Sequence, residues 1–222
     1  MKTKKTLNKV IFFYAEHLNM KKNPKIHHLF ILAALIFTVI TAFSCKTLPR
    51  GQTPKLSRRL LDLGLLSPNQ LADFFIANNP DIDYEYILTF ASYYVDEAMA
   101  EGINSDLAFA QMCLETGFLR FGGLVQEDFH NYCGLGAMDS EHPGEKFENE
   151  EMGVRAHIQH LQAYATTEDV KLNKDLIDPR YNWVHKTKLV EDLWGLAGTW
   201  ASDPAYGQKL NALLERMENQ EY

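Results

Sequence analysis

The sequence predicts a mostly helical domain broken once, near its middle, by a glycine-rich excursion. Three observations predict it. Apolar residues recur at three- and four-residue spacings on both sides of residues 118–148. Residues 118–148 themselves hold five glycines and a proline, which no helix continues through. At 222 residues, 46% hydrophobic and 12% aromatic, the chain has the composition of one well-cored domain with an appendage.

The elements follow in order. Lys21, Lys22 and Lys25 precede an uncharged run, Leu29 to Ala42, that ends in "FSC". The run has 14 residues, where a spanning helix needs roughly 20, so residues 1–44 read as an export signal, with Met20 an alternative start. "TAFSC" resembles a bacterial lipobox, in which Cys45 becomes the acylated first residue and holds the protein on a membrane surface. The alternative is cleavage by an ordinary signal peptidase, with Cys45 an incidental thiol. The expected location is the cell envelope, periplasmic or outer-membrane associated. Residues 45–56, polar with two prolines and a glycine, suit the anchor and an extended tether, and residues 57–222 form the domain.

In "LSPNQLADFFIANNP", Ser67 is an N-cap, Pro68 the first helical residue and Gln70 completes a capping box, with the stop at Asn78, Asn79 and Pro80. "DYEYILTFASYYVDEAMAEG" is a longer helix with Gly102 as its C-cap. "INSDLAFAQMCLETG" starts at Asn104 or Ser105 and stops at Gly117. After loops carrying at most a short hairpin, "ENEEMGVRAHIQHLQAYATT" offers one broad apolar face through Met152, Ala156, Leu161 and Tyr164. "KLVEDLWGLAGTW" and "DPAYGQKLNALLERMEN" complete the helical pattern, the last with Asp203 capping and Pro204 at the first position.

Charge narrows the partners. Residues 1–44 carry seven Lys/Arg and one acid; without them 15 basic residues face 28 acidic ones, a net charge near −13. A field of that sign repels phosphate backbones, and no basic stripe with interleaved aromatics is present, so nucleic acid is not an expected partner. Cys113 and Cys133 suit either a disulfide or buried thiols. His157 and His160 lie three apart on a helix, but no third ligand has suitable spacing, and neither a metal nor a cofactor is expected.

The helix over residues 105–116 is apolar in nearly every direction, which marks a buried helix. Its interior polar residues, Gln111 and Glu115, are four apart and stand one turn above the other. Glu115 sits in the last turn, where the helix dipole disfavours an anion, and partial burial acts the same way. A carboxyl still protonated near neutral pH can donate a proton to a leaving oxygen, as glycosidic cleavage requires; lysozyme's glutamic acid in an apolar pocket is the established example. The alternative is a helix-end glutamate paired with Arg120 or simply hydrated. Trp194 and Trp200 flank a glycine-containing turn and suit either sugar stacking or core packing.

"AFAQMCLETGF" followed by "NYCGLG" resembles the catalytic helix and Asn-x-x-Gly turn of the glucosaminidase family that cleaves peptidoglycan, the group of flagellar and autolysin glucosaminidases. The likeness extends through "EMGVRAHIQHLQAYA" to "LAGTWASDPAYGQKL", and the helical lead-in from "LSPNQLADFF" resembles that of anchored members. The resemblance implies a lysozyme-like α+β fold, mostly α, with a small glycine-rich β-lobe or loop region. It implies an endo-β-N-acetylglucosaminidase acting as a monomer on peptidoglycan glycan strands. Glu115 carries over as the general acid and Tyr206, in "DPAY", as the active-site tyrosine. Gln111, Asn131, Gly134 and Trp200 are the expected substrate-binding residues. Where many members have two asparagines, this chain has His130 then Asn131. Family members differ on a second carboxylate: some use a glutamate of the β-lobe, for which Glu148 is the candidate here, and others the N-acetyl group of the substrate. A lytic transglycosylase or muramidase, or a non-catalytic glycan-binding lipoprotein, are the alternatives on the same fold.

Overall fold

The computed structural model describes residues 55–167, 169–185 and 189–220. The expected export signal (1–44), the Cys45 anchor and most of the tether lie outside the described residues. No helix among the described residues is long and apolar enough to cross a membrane.

Among the described residues there are six α-helices: α1 (Pro68–Asn78), α2 (Tyr84–Glu101), α3 (Ser105–Thr116), α4 (Glu150–Ala165), the short α5 (Tyr181–Val184) and α6 (Tyr206–Glu218). Between them lie 3-10 turns at Glu127–Phe129 and Leu193–Leu196. The β component is three isolated bridges: Arg59 with Asp192, Leu61 with Ile103, and Ala197 with Ala201. The glycine-rich region is therefore loop, the second of the two forms expected for it.

Local chemistry sets the first three helices. Ser67 and Gln70 bond reciprocally in a complete capping box, and Pro68 enters at the first position. Asp83 caps α2, which ends on Gly102 in the left-handed region (φ 72°). Asn104 caps α3, its Oδ1 accepting from the Asp106 and Leu107 amides, and Gly117 closes it at φ 60°. Asp106, fully buried, accepts from the Leu65 and Leu66 amides at 2.8 and 3.1 Å and so pins the incoming chain onto the start of α3. Leu56 is buried and its amide donates to Glu218 Oε1 at 2.7 Å, so the domain starts at the last residue of the expected tether.

α2 packs on α1 and α4, and α3 on α2 and α6. Phe74, Phe75, Phe90, Tyr94, Phe109 and Tyr132 fill the space between them. Phe118 docks its ring against Phe74 and Phe75, 5.9 and 5.7 Å between centroids. That docking helps hold Gly117, Phe118 and Leu119 in three successive left-handed conformations, which turn the chain sharply after α3. Thr116 Oγ1 accepts from Leu119 N at 2.8 Å and Asn79 Nδ2 donates to Phe118 O at 2.8 Å, locking the turn.

Three features differ from the sequence-based expectation. α4 is buried almost all round, not along one face, because its polar residues find partners within the protein: Gln159 with Asp175, Ile177 and Asp178, and Gln162 with Tyr181 and Thr166. α6 begins at Tyr206, after Pro204, because Asp203 uses its carboxylate on Ala205 N (2.8 Å) to close a preceding turn. The stretch 189–201 forms only one 3-10 turn, capped by Asp192 and released at Gly198 (φ 78°). α4 also crosses hard against the loop before it: a Cβ on Gly153 would lie 1.8 Å from the His130 carbonyl oxygen.

Candidate active site

The helices deliver the candidate residues to one groove. Glu115 ends α3, Tyr206 begins α6, and Trp200 comes from the turn after the 3-10 segment. Tyr206 Oη donates a short hydrogen bond to Glu115 Oε1, and Trp200 Nε1 donates to the same oxygen at 3.3 Å. Arg120, the alternative partner for Glu115, instead donates to the Gly117 and Asn78 carbonyls.

Behind Glu115 runs a chain of buried bonds whose directions are forced. Gln111 Nε2 donates to Tyr206 Oη at 2.8 Å, which leaves Gln111 Oε1 as an acceptor. That oxygen lies 3.1 Å from His157 Nε2, so this nitrogen carries the proton. His157 Nδ1 is then the acceptor for the Tyr94 hydroxyl, 3.0 Å away. Donation therefore passes from Tyr94 through His157, Gln111 and Tyr206 to the carboxyl. Burial, with His160 adding to it, lowers the His157 pKa to about 3, so the ring is neutral as the chain requires.

Glu115 is open to solvent on the groove side and crowded by protein on the others. The resulting desolvation is the largest influence on it and pushes its carboxyl above the ordinary glutamate range, against the opposing pull of Tyr206 and Trp200. Burial and the neighbouring Glu115 push the Tyr206 hydroxyl far up, which keeps it a donor. Both protein donors reach Oε1; among the described residues none reaches Oε2. The acid proton therefore belongs on Oε2, the oxygen free for substrate.

Glu115 opens onto a cavity of about 180 Å³ walled by Phe121, Gly122, Gly123, Val125, Asn131 and Gly134. Gly134 and Ala137 also line a neighbouring cavity of about 400 Å³ under Trp200. Phe121 is shared between the first cavity and a third, of about 520 Å³. Shared wall residues thus join the three cavities into a groove whose wall includes Glu115.

The remaining expected residues divide. Gly134 and Trp200 line the groove. Asn131 forms its wall, but its amide is bonded to the loop itself: Nδ2 donates to Leu135 O (2.9 Å) and Glu145 O (3.0 Å), and Oδ1 accepts from Leu135 N (2.9 Å). Gln111 is fully buried beneath Tyr206 and serves it, not the groove surface. Glu148 is exposed just ahead of α4 and lies outside the Glu115 hydrogen-bond network. Trp194 is 45% exposed and lies against Gly207 at the start of α6. Cys113 and Cys133 are buried free thiols, which decides between the two states open to them. His157 and His160 are taken by hydrogen bonds within the protein, the latter to Asp178 Oδ2 at 2.7 Å. Among the described residues no group of three His, Cys, Asp or Glu side chains is placed to hold a metal.

Sequence reasoning missed His157 as a support of the site. It also missed the pair Arg180 and Trp183, whose guanidinium lies over the indole 5.3 Å from its centroid at the wall of the 400 Å³ cavity.

Comparison with known proteins places this geometry. Residues 91–219 match the family model Glucosaminidase, described as mannosyl-glycoprotein endo-beta-N-acetylglucosaminidase. The chain is similar to a protein of Borreliella burgdorferi described as uncharacterized, 39% identical over 155 residues, covering 70% of this chain and 74% of that one. No solved structure matches.

Proposed function

Since the chain belongs to the glucosaminidase family and is thereby a glycan hydrolase, we propose that it is a peptidoglycan endo-β-N-acetylglucosaminidase cleaving on the reducing side of N-acetylglucosamine, with Glu115 as general acid. The observation that carries this reading is the asymmetric setting of Glu115 on the cavity wall: two donors on Oε1, none among the described residues on Oε2, and a carboxyl raised by desolvation.

In the reaction Oε2 gives its proton to the leaving glycosidic oxygen. The charge left on Glu115 is met at Oε1 by the Tyr206 hydroxyl and the Trp200 indole N–H, whose bonds strengthen as it develops. The relay from Tyr94 through His157 and Gln111 keeps the Tyr206 proton aimed at Glu115 and nowhere else. Among the residues lining the central cavity Glu115 is the one carboxylate, which favours the substrate's own N-acetyl oxygen over Glu148 as the group that stabilises the anomeric carbon. The glycine-lined wall at Gly122, Gly123 and Gly134 leaves room for a sugar chain to approach the acid closely. The chain acts as a monomer, held at the cell envelope by lipid on Cys45; the "TAFSC" sequence and the uncharged run before it support that placement.

The test is a digest of purified peptidoglycan by wild type and Glu115→Gln, analysed by mass spectrometry. The expected result is reducing N-acetylglucosamine ends with wild type, and a loss of about 10²- to 10⁴-fold in the variant, the usual contribution of a general acid. Anhydro-muramic ends would establish a lytic transglycosylase, and muramic reducing ends a muramidase. An undiminished biological effect of Glu115→Gln would leave the non-catalytic glycan binder.

A further inference from the structure

We propose that the cavity beside Trp200 is a carboxylate-binding subsite in which Arg180, set over the Trp183 ring, takes an acidic group carried by a muramyl residue adjoining the N-acetylglucosamine at the cleaved bond. This rests on the glucosaminidase reading above.

The first argument is an unsatisfied cation. Of the described arginines, Arg58, Arg59 and Arg155 are ion-paired, and Arg120 and Arg216 hydrogen-bond to the protein. Among the described residues the Arg180 guanidinium has neither an ion pair nor a hydrogen-bond acceptor; its contact is the Trp183 ring. This happens in a chain where acids outnumber bases. The nearby Asp178 carboxylate is already engaged, Oδ2 with the His160 ring and Oδ1 with the Arg180 backbone amide. The other titratable groups facing this wall are Tyr164, whose ionisation the Arg180 charge favours, His160, and the Cys133 thiol, which burial keeps protonated. Among the described residues lining this cavity there is no carboxylate.

The second argument is preorganisation. The Arg180 guanidinium carbon lies over the indole of Trp183, itself 63% exposed, 5.3 Å from its centroid, a cation–π contact that restricts the guanidinium without using its N–H groups. That edge presents parallel donors spaced for the two oxygens of a carboxylate. Trp200, which lines the same cavity, packs edge-on to His160 (5.0 Å) and close to Tyr164 (5.4 Å), contacts that fix its ring in place.

The third argument is polymer register. Trp200 joins the two cavities: its Nε1 touches Glu115 while its ring lines the chamber that Arg180 also lines. In a strand of alternating N-acetylglucosamine and N-acetylmuramic acid, cleavage after N-acetylglucosamine places a muramyl residue on both sides of that sugar. Whichever way the strand runs, the next chamber receives the sugar with the lactyl ether and its attached peptide. Muramidase register would place a neutral N-acetylglucosamine there and give Arg180 nothing to bind. The acidic group is either the lactyl carboxylate itself, where the stem is absent, or a carboxylate of the stem peptide.

The experiment titrates the full chain carrying Glu115→Gln, which binds without turnover, by tryptophan fluorescence. Three probes are used: an N-acetylglucosamine oligomer, a stem-free muramyl glycan fragment with a free lactyl carboxylate, and the same fragment with its stem peptide. Adding Arg180→Gln is expected to weaken at least one muramyl fragment about tenfold and the neutral oligomer less than twofold, with Arg180→Lys in between. Loss on the stem-free fragment identifies the lactyl carboxylate; loss confined to the stem-bearing one identifies the peptide. Equal weakening of all three probes, or undiminished binding of both muramyl fragments, overturns the subsite. The function reading fails separately, by muramic or anhydro-muramic ends from the wild-type enzyme.

Discussion

Removing one oxygen, by Tyr206→Phe, tests the construction of the site most directly. Tyr206 Oη accepts from Gln111 Nε2 and donates to Glu115 Oε1, so its loss has two separable effects. The first is on catalysis. A hydrogen bond to a charged group contributes about 1.5–3 kcal/mol, and this one meets charge that appears only as Glu115 gives up its proton. At 1.36 kcal/mol per decade the rate should fall about 10- to 100-fold at the pH optimum. The same bond favours the carboxylate, so without it Glu115 holds its proton more firmly and the alkaline limb of the activity profile moves to higher pH. The second effect is on stability. Gln111 Nε2, fully buried, loses its acceptor, which costs about 1–3 kcal/mol. Glu115 adds a pH dependence of defined sign: its folded pKa lies above the unfolded one, so its contribution is fullest below the unfolded value and is lost as pH rises through the folded one. The variant extends that window upward. Initial rates against pH on solubilised glycan strands, with thermal melts at the same pH values, read both effects. An alkaline limb that stays put or moves down, with the melting temperature unchanged, would refute the assigned bond directions.

Two further outcomes follow, one from the loop brace at Asn131 and one from the buried relay. Asn131→Ala leaves Leu135 N–H and the Glu145 carbonyl without their side-chain partner, so about 2–4 kcal/mol of stability is lost and proteolytic cleavage between Gly134 and Glu145 accelerates; a melt like that of wild type would deny the loop brace. His157 stays neutral across the working range, its ring taking a proton only near pH 3 in the fold against 6.5 when free. Stability therefore falls as pH drops through that interval, and His157→Phe should flatten this part of the pH–stability curve while lowering rate less than Tyr206→Phe does; ring protonation of native His157 near pH 6, seen by NMR, would contradict it.

The sequence displays those parts of the fold whose causes are local. Ser67 with Gln70, and Gly102 after a periodic run, lie within a turn of the backbone groups they satisfy, so the limits of α1 and α2 follow from composition alone. Asp203 shows how a local signal fails: the same residue caps a helix or closes a turn, and only the packing of Tyr206 beside Glu115 selects the turn. α4 fails for a different reason. Its His157, His160, Gln159 and Gln162 read as polar and therefore exposed, whereas each meets a partner distant in sequence, such as Tyr94, Asp178, Asp175 or Tyr181.

The pair Gln111 and Glu115 was legible because α3 leaves them no solvent face, so their polarity demanded partners. α4 obeys the same rule, and residues 166–192, which supply several of those partners, have no periodicity to reveal it. Among the described residues no buried side-chain polar atom is left without a hydrogen bond. Within the groove, Glu115 Oε2 and the guanidinium of Arg180 have no hydrogen-bond partner among the described residues. One offers a proton and the other a positive charge, and Trp200 adjoins Glu115 while lining the cavity that Arg180 lines. On the proposed reading, the substrate that engages both is a glycosidically linked chain with an acidic group on a sugar adjoining the one at Glu115, which is a narrower demand than the family alone makes.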